Sequence, residues 1–384
     1  MLSSQSRLPL AYMHVPKTAG TSFTRGLIKS LRPRHCVGGF DRALFGGFND
    51  FHELSPSSMR YIYLKPDEIP SRTDFLAGHF SLSTIDARMP SARRMTIMRE
   101  PFSRLLSHWI FWRSGAARSE DRNDWERRLS SAHAPLLDFL DEPKVSCQTD
   151  NVFARMLLWP DVPTDEFFDE ADDDRILALC LERLQRFEFV GLVEDPKIWD
   201  KLGAWVGKRV VPLREKVTSP VPEQHRGVLA EYMSAAAVDA LHWRSRIDNR
   251  LWLEIGKRAA PELDLATVCA RSIALTVARS SALLSGENGK ASAVMSKKPA
   301  GREAVQASRA GAKDYAFTAI LRRPIRLGAS SALARLVKHA ALGAHHSARQ
   351  AQEGARVRMR FLPLRAGWIL QLARSRYRSR RSTP

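Results

Sequence analysis

One stretch constrains the fold more than any other: Leu8-Pro9-Leu10-Ala11-Tyr12-Met13-His14-Val15-Pro16-Lys17-Thr18-Ala19-Gly20-Thr21-Ser22. Leu8 to Val15 is mostly apolar and stops at Pro16, which has no N–H to give to a sheet ladder. This is the pattern of a buried parallel strand. Small residues follow, and then Phe23, Leu27, Ile28 and Leu31 recur at helical spacing. A strand, a tight turn and a helix start bring free backbone N–H groups and the positive end of a helix dipole to one point, so Lys17, Thr18, Ala19, Gly20, Thr21 and Ser22 are read as an anion-binding loop. An ordinary strand-to-helix turn with Lys17 in solvent has the same local pattern. The nucleoside-triphosphate loop G-x-x-x-x-G-K-[ST] carries its lysine late, whereas Lys17 comes first, so that motif is not matched.

Two later segments add polar residues at strand ends. Phe75 to Ala77 reads as a short strand and His79 lies just beyond it, at the carboxyl edge where open α/β sheets place their ligands; a structural histidine is the alternative there. Arg93 to Arg99 reads as a core strand that ends in a cation. Glu100-Pro101 then opens a helix with Phe102, Leu105, Leu106 and Trp109 on one face, Pro101 suiting its first turn and Ser103 and Ser107 sharing a face.

Pro16 to Ser22 fits the form P-K-T-[AG]-[GS]-T-S at every position, and Arg99 to Ser107 fits R-[DE]-P-x-x-R-x-x-S. In these motifs, with a Gly-His between them, the sequence resembles the sulfotransferase superfamily, in the branch related to heparan sulfate 2-O-sulfotransferases and bacterial carbohydrate sulfotransferases. The resemblance implies a three-layer α/β domain of the P-loop nucleotide-kinase type with a central parallel sheet. It implies 3′-phosphoadenosine 5′-phosphosulfate as cosubstrate, its 5′ end on Lys17, Thr18, Ala19, Gly20, Thr21 and Ser22 and its 3′-phosphate on Arg99 and Ser107. His79 is then the base, Lys17 the catalytic cation, and no metal is required. The acceptor expected from this branch is a hydroxyl on a carbohydrate, glycolipid or polysaccharide. Further family-like segments leave roles open: Arg104 assists or holds its loop, Asn151 and Arg155 face the acceptor or pack a helix, and Lys216, Thr218 and Ser219 belong to a loop that closes over the cosubstrate in relatives.

The chain has 384 residues and a formal net charge of +19, enough length for a substantial core. The charge is uneven: residues 1–260 hold 37 Lys and Arg against 35 Asp and Glu, while residues 261–384 hold 23 against 6. The resemblance ends near Arg258, so the sulfotransferase-like domain is assigned to 1–260, a helical end and low-complexity linker to 261–312, with the linker proper from 281, and a basic tail to 313–384. Ser331 to Leu342 and Arg365 to Tyr377 are candidate amphipathic helices in that tail, and His345-His346 is read as incidental. Such a tail suits an anionic membrane surface or another polyanion. The acidic run Asp161 to Asp174, which leads into a helix, offers it an internal counterpart.

Cys36, Cys147, Cys180 and Cys269 have neither disulfide-framework nor zinc-ligand spacing, which fits free thiols in a reducing compartment. With no apolar run of signal or membrane-span length, the expected location is the cytoplasm, peripheral at the inner membrane face if the tail docks there. Two other function classes compete. A phosphotransferase using ATP or GTP would need Mg²⁺ held by an acid at a strand end, where this chain has Arg99. A non-enzymatic polyanion-binding protein would act through the basic tail.

Overall fold

In a computed structural model the described residues are 9–115, 123–212 and 218–286. Five parallel strands, β1 (Leu10–Met13), β2 (Cys36–Val37), β3 (Phe75–Gly78), β4 (Arg93–Met98) and β5 (Phe189–Leu192), form one sheet in the order β2-β3-β1-β4-β5. The helices that matter for the site are α1 (Gly20–Leu31), α2 (Leu82–Arg88), α3 (Pro101–Gly115), α4 (Val152–Leu158), α5 (Asp173–Leu184), α6 (Ile198–Trp205), α7 (Ala235–Trp243), α8 (Arg246–Ala259) and α9 (Leu265–Ser285). The expected three-layer α/β fold with a central parallel sheet is the fold observed.

Alternate residues of each strand explain the layers. Ala11, Met13 and Leu76 face a core shared with Ile85, Phe153, Met156, Ile176, Cys180, Leu251 and Trp252, from α2, α4, α5 and α8. Leu10, Tyr12, Phe75, Ala77, Met95 and Ile97 face the other way, onto Phe23 and Leu27 of α1 and Ile198 and Leu202 of α6. Burial on both faces is why these strands read as apolar runs rather than as alternating ones. A third core beside the sheet joins Phe102, Leu105, Leu106 and Trp109 of α3 to Leu241 of α7 and to Ile273, Val277, Leu283 and Leu284 at or near the end of the described chain.

The apolar run Tyr61 to Leu64 forms only a single bridge, between Ile62 and Phe40. One expectation is corrected. Residues 281–285, expected to open the linker, instead belong to α9, which continues to Ser285 with Leu283 and Leu284 buried. The composition reading missed this because Ile273, Val277, Leu283 and Leu284, the apolar residues that pack into the core with α3, are spaced among alanines and serines. The candidate tail helices, His345-His346 and Lys216 lie outside the described residues. All four cysteines are free thiols. No helix among the described residues is long and apolar enough to cross a membrane.

Candidate active site

Strand register brings the site together. Met13 pairs with Gly78 on one side and with Thr96 on the other. The residues leaving β1, β3 and β4 therefore emerge side by side at one carboxyl edge. Here β1 lies between two neighbours reached in opposite directions, the point at which doubly wound sheets open a crevice. The Lys17 loop follows β1, His79 follows β3, and Arg99 follows β4.

The loop has the geometry of an anion nest. Lys17 and Ala19 are left-handed, with φ of 68° and 58°; each such non-glycine residue stores about 1 kcal/mol or more. Thr18 is buried and its hydroxyl donates to the Val15 carbonyl at 2.9 Å, tying the turn to the strand end. Ala19 caps α1 without a side-chain acceptor, and the first turn of α1 has no acid. The positive end of that helix is thus left open to a ligand anion. Thr21 and Ser22 begin the helix half-buried. Gly20 has a separate reason to be glycine: a Cβ there would lie 1.8 Å from His14 Nε2.

Lys17 Nζ sits 4.2 Å over the Phe111 ring and donates weakly to Thr218 Oγ1 at 3.4 Å. Burial first, and then Arg99 and Arg279, push its pKa down to about 7. Thr218 thus lies beside the loop.

His79 Nδ1 lies 2.6 Å from the His14 carbonyl oxygen. A carbonyl can only accept, so Nδ1 carries the proton and Nε2 keeps its lone pair. The two imidazoles are 4.4 Å apart between centroids, and Phe40 covers the other side of His79 at 4.9 Å. Burial pushes His79 down to about 4 despite the hydrogen bond to His14, leaving it neutral at pH 7. His14 is held well below the usual histidine range by burial, then by His79 and Lys17.

Arg99 spans two elements: Nη1 donates to the Lys17 carbonyl at 3.3 Å and Nη2 to Thr276 Oγ1 of α9 at 2.7 Å. Burial lowers its pKa, opposed by Glu194 and Glu100 and reinforced by Arg279. Glu100 is committed elsewhere, accepting from Phe102 N at 3.0 Å and Ser103 N at 2.8 Å at the start of α3. Burial pushes its carboxyl up to about 7. Glu194 accepts from Glu100 N and from Ser272 Oγ of α9. Ser107 is half-buried on α3, two turns beyond Glu100.

Other candidates resolve into structural parts. Arg104 is buried, donates to the Gln148 carbonyl and is pushed down to about 10 by burial; it holds α3 to the segment before α4. Asn151 is fully buried, and its Oδ1 accepts from Ile247 N and Asp248 N. Arg155 is buried against Asp150 at 2.7 Å and caps the carbonyls of Pro163 and Glu166. The helix-packing alternative is therefore the right one for both residues.

Sequence reasoning missed His14, Phe40, His108, Phe111, Thr276 and Arg279. His108 is buried against Trp112, with neither ring nitrogen bonded among the described residues, and burial followed by Arg104, Lys17 and His79 keeps it neutral. Its place one residue after Ser107 was the only local signal. Nothing near Thr276 or Arg279 in sequence pointed to an anion site.

A turn and helix start with open N–H groups, a neutral histidine with a free Nε2 and cations gathered at a sheet crevice fit a group-transfer enzyme acting on an anionic donor. The sulfotransferase family model matches residues 4–197, about half of the 384 residues, and the chain belongs to the sulfotransferase family. Its chemistry is sulfuryl transfer. No curated protein matches the chain.

Proposed function

We propose that the protein moves the sulfuryl group of 3′-phosphoadenosine 5′-phosphosulfate to a hydroxyl of a carbohydrate, glycolipid or polysaccharide. The observation that carries this reading is the meeting of neutral His79 with Lys17 and Arg99 at one strand edge, neither cation forming an ion pair among the described residues. His79 Nε2 takes the acceptor hydroxyl proton as that oxygen bonds to sulfur. The bond from sulfur to the bridging phosphate oxygen breaks, and its electron pair leaves with the 5′-phosphate. Lys17 and the N–H groups of the loop hold that charge. Arg99, with its planar guanidinium, and Ser107 hold the 3′-phosphate, so that both ends of the donor are fixed. Such alignment supplies roughly 7–11 kcal/mol in favourable cases, and a placed base about 10²–10⁴-fold.

Phe40 supports a sugar acceptor: it is 37% exposed and covers His79, giving an apolar wall next to the base. The free thiols fit a cytoplasmic setting, and the basic residues after 261 fit contact with an anionic surface. The ATP- or GTP-dependent alternative loses its metal ligand, since Glu100 caps α3 rather than facing the loop.

Calorimetric titration with adenosine 3′,5′-bisphosphate, against ADP and ATP with and without Mg²⁺, tests the donor. Metal-independent preference for the bisphosphate, lost in Arg99→Ala, is the expected result. Preference for ATP with Mg²⁺ overturns the reading. A hydroxyl-acceptor screen with His79→Ala as control then identifies the acceptor.

A further inference from the structure

We propose that Arg279 of α9, outside the family-matched segment, is a third cation of the donor site and binds the donor's 3′-phosphate together with Arg99. This rests on the donor reading above and adds to it a residue from a helix that neither motif contains.

One face of α9 runs along the carboxyl edge of β4. Ser272 donates to Glu194 at 3.1 Å and to Ser103 at 3.2 Å, and Thr276, one turn on, accepts from Arg99 at 2.7 Å. Residues three and four apart share a helix face, so Arg279 continues the line Ser272–Thr276–Arg279 by one more turn. Ser272 is half-buried, Thr276 is buried and Arg279 is exposed, which puts the guanidinium at the open end of the line. It forms no ion pair among the described residues, yet it acts electrostatically on both Lys17 and Arg99.

Three cations thus converge where the nearest acids are engaged: Glu100 by α3 and Glu194 by Glu100, Ser272 and Trp252. Like charges gathered without a counter-ion oppose folding. A site filled by a polyanion turns the same arrangement into binding energy. Arg279 is assigned to the 3′-phosphate because Thr276, its neighbour along the face, holds the Arg99 guanidinium. A phosphate matches two guanidinium forks well.

The test uses the full-length protein and Arg279→Ala and Arg279→Lys, titrated with adenosine 3′,5′-bisphosphate and with adenosine 5′-monophosphate, which lacks the 3′-phosphate. Arg279→Ala should weaken the bisphosphate about 10- to 100-fold, the worth of a charge-assisted contact. The monophosphate should change by less than about twofold, and Arg279→Lys should fall between. Unchanged bisphosphate affinity in Arg279→Ala overturns the proposal, as does equal weakening of both ligands, which marks a diffuse field and not a contact. Wild-type protein that ignores the bisphosphate overturns the donor reading itself. The ligand-free thermal midpoint separates binding from packing. It should hold or rise in Arg279→Ala as repulsion is relieved, and a fall would assign the residue to the fold.

Discussion

Lys17 and His79 carry opposite tuning. His79 is already neutral at pH 7, so the acid limb of the reaction sets in only as pH falls towards about 4. Lys17, pushed down to about 7, is half-discharged in the empty site at neutral pH. A bound anion raises that pKa, so binding takes up a proton above pH 7 and affinity for adenosine 3′,5′-bisphosphate should fall by up to about tenfold per pH unit there. Calorimetry in buffers of different ionisation enthalpy reads the proton uptake, and Lys17→Arg should flatten the dependence. The same shift has a sign for folding: the unfolded chain binds the Lys17 proton more tightly, so ligand-free stability should rise between pH 7 and 9, by no more than about 1.4 kcal/mol per unit. A thermal midpoint that falls across this window contradicts the assignment. Gly20 gives a sharper test, since its Cβ would displace the His14 ring, which packs on His79. In Gly20→Ala the base shifts, and kcat should drop about 100-fold.

The elements divide into those that carry chemistry and those that only hold it. Asn151 belongs to the second group: its Oδ1 satisfies two N–H groups at the start of α8. Asn151→Ala should cost about 1–3 kcal/mol in chemical denaturation while leaving the acceptor KM unchanged in the folded fraction. A change in KM without loss of stability would restore the acceptor-facing reading. The difference between Asn151 and Lys17 also marks what could be read in advance. A strand end, a turn and a helix start are set by neighbours in sequence, so Lys17, His79 and Arg99 were legible as residues at one sheet edge. Asn151 and Arg155, one turn apart, have the same spacing whether they face a ligand or a core, and only the contacts with α8 decide it. His14 reads as one more residue of the apolar run Leu8 to Val15 until the register sets it beside His79. Thr276 meets Arg99 from 177 positions away, and no local pattern encodes such a contact.

At the scale of the molecule, the described fold ends later than its motifs. Ile273, Val277, Leu283 and Leu284 are buried in the third core, each worth about 1.5–3 kcal/mol. Together they rival the stability of a typical domain. A chain ending at Ala260 should therefore lose its cooperative thermal transition and its bisphosphate binding, whereas one ending at Gly286 should keep both. Retained binding in the shorter chain would show that α9 is dispensable. The comparison also sets where the basic tail must be cut to test it: after Gly286, because a cut at 281 removes buried leucines along with the charge.

A helix that completes the third core also touches the Arg99 guanidinium, and this gives synthesis an order. The loop after β1 leaves the ribosome early, and the motifs follow within about a hundred residues. The helix that receives Arg99 emerges last among the described elements, after the whole sheet. A nascent chain paused before Leu265 has the loop, His79 and Arg99, with the Lys17 carbonyl for Nη1 but without the Thr276 hydroxyl that receives Nη2. The last described helix to emerge therefore completes the third core and the Arg99 hydrogen bonding in one step.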